Sequence, residues 1–333
     1  LCAHLKGSEP LQENLEGTAP AMPSYPDMDE VVGQDTARRA LEVAASGGHN
    51  LLFTGPPGTG KTLLASRLPG ILPPPSKEES LVALALRDFR GMDENEVGLS
   101  RPFRSPHHSA SAAALIGGGS FPRPGEVSLA HGGVLFLDEL AEFNRHTLEM
   151  LREPLESGQV TLSRARHKAT YPANFQLIAA MNPCPCGFLG DPERHCRCTQ
   201  EQVQRYRGRR SGPQLDRKDL HIPVPRLPAG LLLERNNRAE SSHSIRQRVI
   251  HCREVQQQRQ HCCNARLAAA QLLEICELDV SNRKMLEEAA ENLKLSGRGL
   301  HRTLRVARTI ADMAGKASIE QAHLAEALAY RSP

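Results

Sequence analysis

Three groups of residues in this 333-residue chain have types and spacings suited to chemistry. Gly55-Pro56-Pro57-Gly58-Thr59-Gly60-Lys61-Thr62 has the spacing of a phosphate-binding loop. Its glycines let backbone N–H groups turn inward around phosphate oxygens, and a helix starting at the lysine adds its positive end. Lys61 has the reach for the β- and γ-phosphates of ATP, and Thr62 offers a hydroxyl to Mg²⁺. The second group is Asp138-Glu139, which closes the apolar run Val134-Leu135-Phe136-Leu137. A carboxylate at the carboxyl end of a parallel strand faces the same crevice as the phosphate loop. Asp138 suits Mg²⁺, and Glu139 is placed to orient and deprotonate water. Alone, such a pair reads as a solvated turn; beside a phosphate loop it speaks for hydrolysis. The next apolar run, Phe175-Gln176-Leu177-Ile178-Ala179-Ala180, leads to Met181-Asn182-Pro183. There Asn182 suits either a hydrogen bond to the attacking water or γ-phosphate, or a plain strand-end turn.

The third group is made of thiols. Cys184-Pro185-Cys186 and Cys196-Arg197-Cys198 are C-x-C pairs separated by nine residues. A spacing of two puts both sulfurs on one side of an extended chain, so four thiolates can close a tetrahedron around a structural Zn²⁺. Such a site leaves no open position for catalysis. Free thiols are the alternative, and His195 is a possible substitute ligand. The chain has nine cysteines and no secretory signal, which points to the reducing cytoplasm and away from disulfides.

These groups need elements to hold them. Between residues 31 and 224, short apolar runs alternate with helical patterns, the signature of an α/β domain with a mostly parallel sheet. Residues 6–29 carry Pro, Glu and Gly without apolar periodicity and read as a linker, within a division 1–29, 30–228 and 229–333. Pro223, Pro225 and Pro228 close the α/β part, and residues 244–330 have the periodicity of a small all-α domain. The first residue is Leu, which suggests a fragment of a longer chain. Apolar residues make 39 % and no run approaches the roughly 20 needed to cross a bilayer, so no membrane partner is expected. Arg outnumbers Lys 33 to eight and Trp is absent. Nucleic-acid contact would therefore run through backbone phosphates rather than stacked bases.

Two stretches are candidates for such contact. Residues 159–171 read as a hairpin with a basic tip, and Arg164, Arg166 and Lys168 alternate, so that in one extended strand they share a face. That face could track DNA phosphates, or be a solvated turn. Residues 194–210 hold six Arg and one Glu, fit for DNA, a neighbouring subunit or solvent. Arg298, Arg302, Arg305 and Arg308 fall close to one helical face; Arg298 aside, that suits an interface rather than DNA. Cys252, Cys262, Cys263 and Cys276 lie in helix-like segments and read as packing residues.

Together, the phosphate loop, Leu137-Asp138-Glu139, Asn182, Ser211-Gly212-Pro213-Gln214-Leu215-Asp216-Arg217 and Leu295-Ser296-Gly297-Arg298 resemble an AAA+ ATPase. Gly47-Gly48-His49-Asn50, residues 101–108, residues 181–187 and residues 305–312 are similar to the magnesium-chelatase-like branch, specifically the ComM/YifB competence family. The resemblance implies a P-loop core with a helical lid, ATP and Mg²⁺ between subunits of a hexameric ring, and a Lon-protease-like domain ahead of this region. It implies that Asn182 is the sensor-1 residue, Arg217 the arginine finger and Arg298 the sensor-2 arginine. It implies that the basic hairpin is a pore element. The loop around Gly117-Gly118-Gly119 would be a helix-2 insertion, with Phe121 and Arg123 as substrate contacts. The implied activity is a DNA motor, a helicase or branch-migration translocase of natural transformation. The rivals are a metal-insertion or protein-remodelling ATPase, a nucleotide-gated module with little turnover, and an unfoldase serving a protease.

Overall fold

The computed structural model describes residues 25–89, 100–119, 121–164, 167–208, 219–233 and 239–331. Its strands are β1 (Leu51–Thr54), β2 (Phe103–Arg104), β3 (Gly117–Gly118), β4 (Arg123–Pro124), β5 (Val134–Leu137), β6 (Gln159–Arg164), β7 (His167–Pro172), β8 (Gln176–Met181) and β9 (Leu220–Pro223). Five of them form one parallel sheet in the order β2-β5-β8-β1-β9. The pairs β3–β4 and β6–β7 are separate antiparallel hairpins.

The helices are, in chain order, α1 (Asp35–Gly47), α2 (Lys61–Ile71), α3 (Lys77–Asp88), α4 (Ala112–Ile116), α5 (Glu126–Leu129), α6 (Arg145–Glu149) and α7 (Arg152–Ser157). There follow α8 (Gln200–Gly208), α9 (Ala229–Leu233), α10 (Ser242–Gln260), α11 (Ala269–Ile275), α12 (Val280–Asn292), α13 (Gly297–Met313) and α14 (Gln321–Ala329). Serines and an aspartate punctuate them. Ser76 and Glu79 form a reciprocal capping box at α3, and Ser241, Asp279 and Ser296 cap α10, α12 and α13.

The central strands are continuous apolar runs because both faces of the sheet are covered. Side chains alternate between those faces. Leu51, Phe53, Val134, Phe136 and Ile178 pack with α1, α2, α10 and α13; Leu52, Leu135, Leu137, Leu177 and Ala179 pack with α4 to α7 and β6. Each large side chain buried this way contributes about 1.5–3 kcal/mol. The region from α10 to α14 contains no strand among the described residues, as its periodicity requires.

Several expectations are corrected here. Strand β8 begins at Gln176, so Phe175, read as part of that apolar run, lies just outside it. Residues 25–29 are packed rather than linking: Met28 is fully buried, and Asp27 accepts from the Ser242 backbone N–H. A single apolar residue among polar ones carries no periodic signal, which is why the sequence hides this anchor. Three arginines of the row on α13, Arg302, Arg305 and Arg308, turn inward instead of forming an outer interface. Arg302 donates to Asp219 at 2.6 Å, Arg305 to the Leu267 carbonyl, and Arg308 to Asp312 and to two carbonyls beyond the helix. Cys252 and Cys276 are buried, whereas Cys262 and Cys263 sit past the end of α10. Among the described residues no helix is long and apolar enough to cross a membrane.

Candidate nucleotide-binding site

The carboxyl ends of β1, β5 and β8 meet at one rim of the sheet, where connections leave in different directions and a crevice opens. A cleft of about 430 Å³ lies there, lined by residues 57–63 with Asp138, Glu139, Met181 and Asn182. Among the described residues, all the nucleotide motifs except Arg298 therefore converge.

The loop geometry explains its glycines. A Cβ on Gly55 would lie 2.1 Å from the Val224 carbonyl oxygen, so only glycine lets β1 run this close to the strand-end segment beyond β9. Gly58 and Gly60 have φ of +76° and +89° with open space where a Cβ would point, so conformation rather than room selects glycine there. Pro56 and Thr59 close the turn through a 3.0 Å hydrogen bond from Thr59 Oγ1 to the Pro56 carbonyl.

Lys61 starts α2 with its ammonium folded back into the loop. Nζ donates to the carbonyls of Gly55 and Pro56 at 2.8 and 2.7 Å and to Asn182 Oδ1 at 3.3 Å. Burial pushes its pKa down, and the charges of Asp138 and Glu139 act against that. Thr62 Oγ1 donates to Asp138 Oδ2 at 2.7 Å. A hydroxyl and a carboxylate side by side are hard oxygen donors of the kind Mg²⁺ prefers, so these two residues fit the ion. The Glu139 backbone N–H donates to the other oxygen of Asp138 at 2.9 Å. Glu139 itself adopts φ +48°, an uncommon conformation for a residue with a side chain. It turns the chain sharply at the end of β5.

Sequence reasoning missed His108. Its Nδ1 lies 3.2 Å from Glu139 Oε2, while its ring lies against His107, 4.0 Å between centroids. The contact with Glu139 spans 31 positions and has no local signature. Gln34 was also missed. In a left-handed conformation before α1, its amide donates to the Pro225 carbonyl at 2.8 Å and lies 3.5 Å from the Thr59 carbonyl. It joins the phosphate loop to the connector toward the helical region.

Of the remaining site residues, Arg217 and Arg166 lie outside the described residues. Arg298 is exposed in the first turn of α13 and is not among the residues lining the cleft. The basic hairpin is present as the antiparallel pair of β6 and β7. Arg164 pairs with His167 and Lys168 with Ser163 on facing strands. Arg164 and Lys168 thus lie on two paired strands and not along a single one. The β3–β4 hairpin carries Phe121 and Arg123, both exposed. It touches the basic hairpin: Tyr171 Oη donates to the Pro122 carbonyl at 2.7 Å. The contact joins two hairpins across 49 positions of sequence. The four cysteines also come together, with all sulfurs within 4.8 Å of one another. The Phe188 backbone, first among several hydrogen bonds, pulls the Cys186 thiol down to about 6.

The family profile described as "Magnesium chelatase, subunit ChlI" matches residues 27–232, and the one described as "Magnesium chelatase, subunit ChlI C-terminal" matches residues 239–331. The chain belongs to the magnesium-chelatase-like family of AAA+ ATPases. It is 50 % identical to the uncharacterized protein YifB of Salmonella typhimurium over all of its own length and 65 % of that protein's. It is likewise 50 % identical to the competence protein ComM of Haemophilus influenzae, over 92 % of this chain and 60 % of that protein. The chain thus spans less than two thirds of either relative. Similarity to Lon protease 2 of Bacillus subtilis is lower, 28 % over 54 % of the chain. The family has the architecture described above, a parallel P-loop core joined to a helical lid.

Proposed function

We propose that this chain is the motor part of a homo-hexameric ring that hydrolyses ATP to move on DNA, acting as a helicase or branch-migration translocase. The observation that carries the ATPase reading is the convergence of Lys61, the Thr62–Asp138 pair, Glu139 and Asn182 on one cleft at the sheet rim. The DNA reading draws on the relative named a competence protein and on the paired hairpins with exposed Lys168, Phe121 and Arg123.

In the mechanism, backbone N–H groups of residues 58–62 and the start of α2 receive the phosphates. Lys61 supplies positive charge to the β- and γ-phosphates, and Asn182 fixes its position. Thr62 and Asp138 hold Mg²⁺, which when bound neutralises charge on the phosphate oxygens. Glu139 orients water and takes its proton as the γ-phosphoryl transfers, giving ADP and phosphate. Arg217 of a neighbouring copy offsets charge developing on the γ-phosphate, and Arg298 reports nucleotide state to the lid. The four cysteines hold a structural Zn²⁺, and the protein works in the cytoplasm.

The test is unwinding or branch migration of fluorescently labelled forked DNA. ATP-dependent strand release, absent with a non-hydrolysable analogue, is the expected result. The family description favours one alternative, a metal-insertion or protein-remodelling ATPase. Vigorous hydrolysis with no strand movement would support that alternative over the DNA motor.

A further inference from the structure

The cysteine cluster has the dimensions of a closed tetrahedral site. With a Zn–S bond of about 2.3 Å, sulfurs at the corners of a tetrahedron stand about 3.8 Å apart. Here Cys184 Sγ lies 3.4 Å from Cys186 Sγ and 3.7 Å from Cys196 Sγ, and Cys186 Sγ lies 3.6 Å from Cys196 Sγ. Cys198 completes the set, its sulfur accepting from the Cys186 backbone N–H at 3.4 Å. No disulfide joins them. The loop they close is braced elsewhere too, where Asp191 accepts from the backbone N–H groups of Glu193 and Arg194 and from Arg226.

What this loop touches matters more than its own stability. Cys184 stands two residues after Asn182, and the turn it opens closes through the Gly187 N–H on the Cys184 carbonyl at 3.0 Å. Gly187 has φ +86°, and a Cβ there would lie 2.7 Å from Pro57 Cδ and 3.9 Å from Asn182 Cγ. The backbone just past the second cysteine therefore abuts both the phosphate loop and Asn182. Asn182 in turn receives the Lys61 ammonium.

We propose that a Zn²⁺ held by Cys184, Cys186, Cys196 and Cys198 is an affinity-setting brace. By fixing the turn at Gly187 it holds Asn182 and Pro57 in place around the phosphates, so that ATP affinity depends on metal occupancy. This rests on the zinc reading of the cluster given above. Loss of one positioned hydrogen bond to a charged group corresponds to about tenfold in affinity.

The experiment uses the intact chain purified without chelator, with its metal content measured by mass spectrometry. Binding of a fluorescent ATP analogue is then followed before zinc is stripped, after stripping, and after zinc is returned. The expected result is one zinc per chain, about tenfold weaker nucleotide binding on stripping, and recovery on reloading. Gly187→Ala, which leaves all four ligands in place, is expected to keep its zinc yet bind the analogue more weakly. Asn182→Ala is expected to bind weakly with or without zinc, because the group the brace positions is gone. A chain that carries no zinc overturns the metal reading and the brace with it. A chain that carries zinc but binds nucleotide equally well after stripping overturns the brace alone.

Discussion

Arg302 on α13 donates to the buried Asp219 carboxylate at 2.6 Å, linking the helical lid to the residue that leads into edge strand β9. Asp219 also accepts from the Asn50 backbone N–H at 2.9 Å, and His49 Nδ1 lies 3.7 Å away. Burial alone would raise the Asp219 pKa. The neighbouring His49 ring, the Arg302 charge and the Asn50 N–H outweigh it, so the carboxyl is held well below the usual carboxylate range. Segment 211–217, with the candidate finger Arg217, ends just before this junction.

Removing one partner of a buried ion pair leaves the other uncompensated, at a cost of about 3 kcal/mol. Asp219→Asn is expected to lower the unfolding temperature by several degrees at neutral pH. The sign with pH follows from a depressed carboxyl. Its stabilisation is fully present above the unfolded value of about 4 and is lost as pH falls toward the lower folded value. Thermal unfolding of both proteins should therefore converge as pH drops below about 4. A gap that stays constant into acid would show that the charge on Asp219 is not what stabilises the junction.

Glu139→Gln keeps the shape of the residue and removes the proton acceptor. ATP binding should persist while turnover falls by about 10²- to 10⁴-fold, the range for loss of a general base. Equilibrium binding and phosphate release measured on one preparation separate the two effects. Normal turnover would remove Glu139 from the chemistry.

His108 contacts the Glu139 carboxylate, the group proposed to receive the water proton. Both side chains are partly exposed, so the contact is weak, and freeing Glu139 should raise basal turnover about two- to fivefold in His108→Ala. Steady-state phosphate release provides the check. A fall in rate would mean that His108 instead helps to aim Glu139.

Arg217→Ala should cost about 10³-fold or more in turnover if the residue acts on a neighbour's nucleotide. Mixing this variant with Glu139→Gln separates the trans role from a local one. Partial recovery of activity in mixed rings is the expected outcome. Unchanged activity in homogeneous Arg217→Ala rings would end the finger assignment.

The residues that could be read in sequence share one property, which is that their signal is local. Gly55 to Thr62 and Asp138-Glu139 are contiguous, their strands are uninterrupted apolar runs, and the structure brings them to one rim. The Cys pairs were legible for the same reason. His108, Gln34 and Gly187 act through contacts made only when the chain folds back on itself, and nothing in their neighbours announces it. The arginine row on α13 misled because helical spacing reveals which residues share a face but not whether that face meets solvent or protein. Buried Asp219 and Asp312, far away or on the same helix, decided the matter. In the basic hairpin, Arg164 and Lys168 lie on two paired strands, a separation that alternation of residue types does not reveal.

Steady-state ATP hydrolysis with and without forked DNA, at two salt concentrations, tests the DNA motor most directly. Several-fold stimulation at low salt that fades at high salt, and is reduced by Lys168→Ala, is the expected result, because contacts to backbone phosphates release counterions. Hydrolysis that proceeds at one rate whatever DNA or salt is present would contradict it.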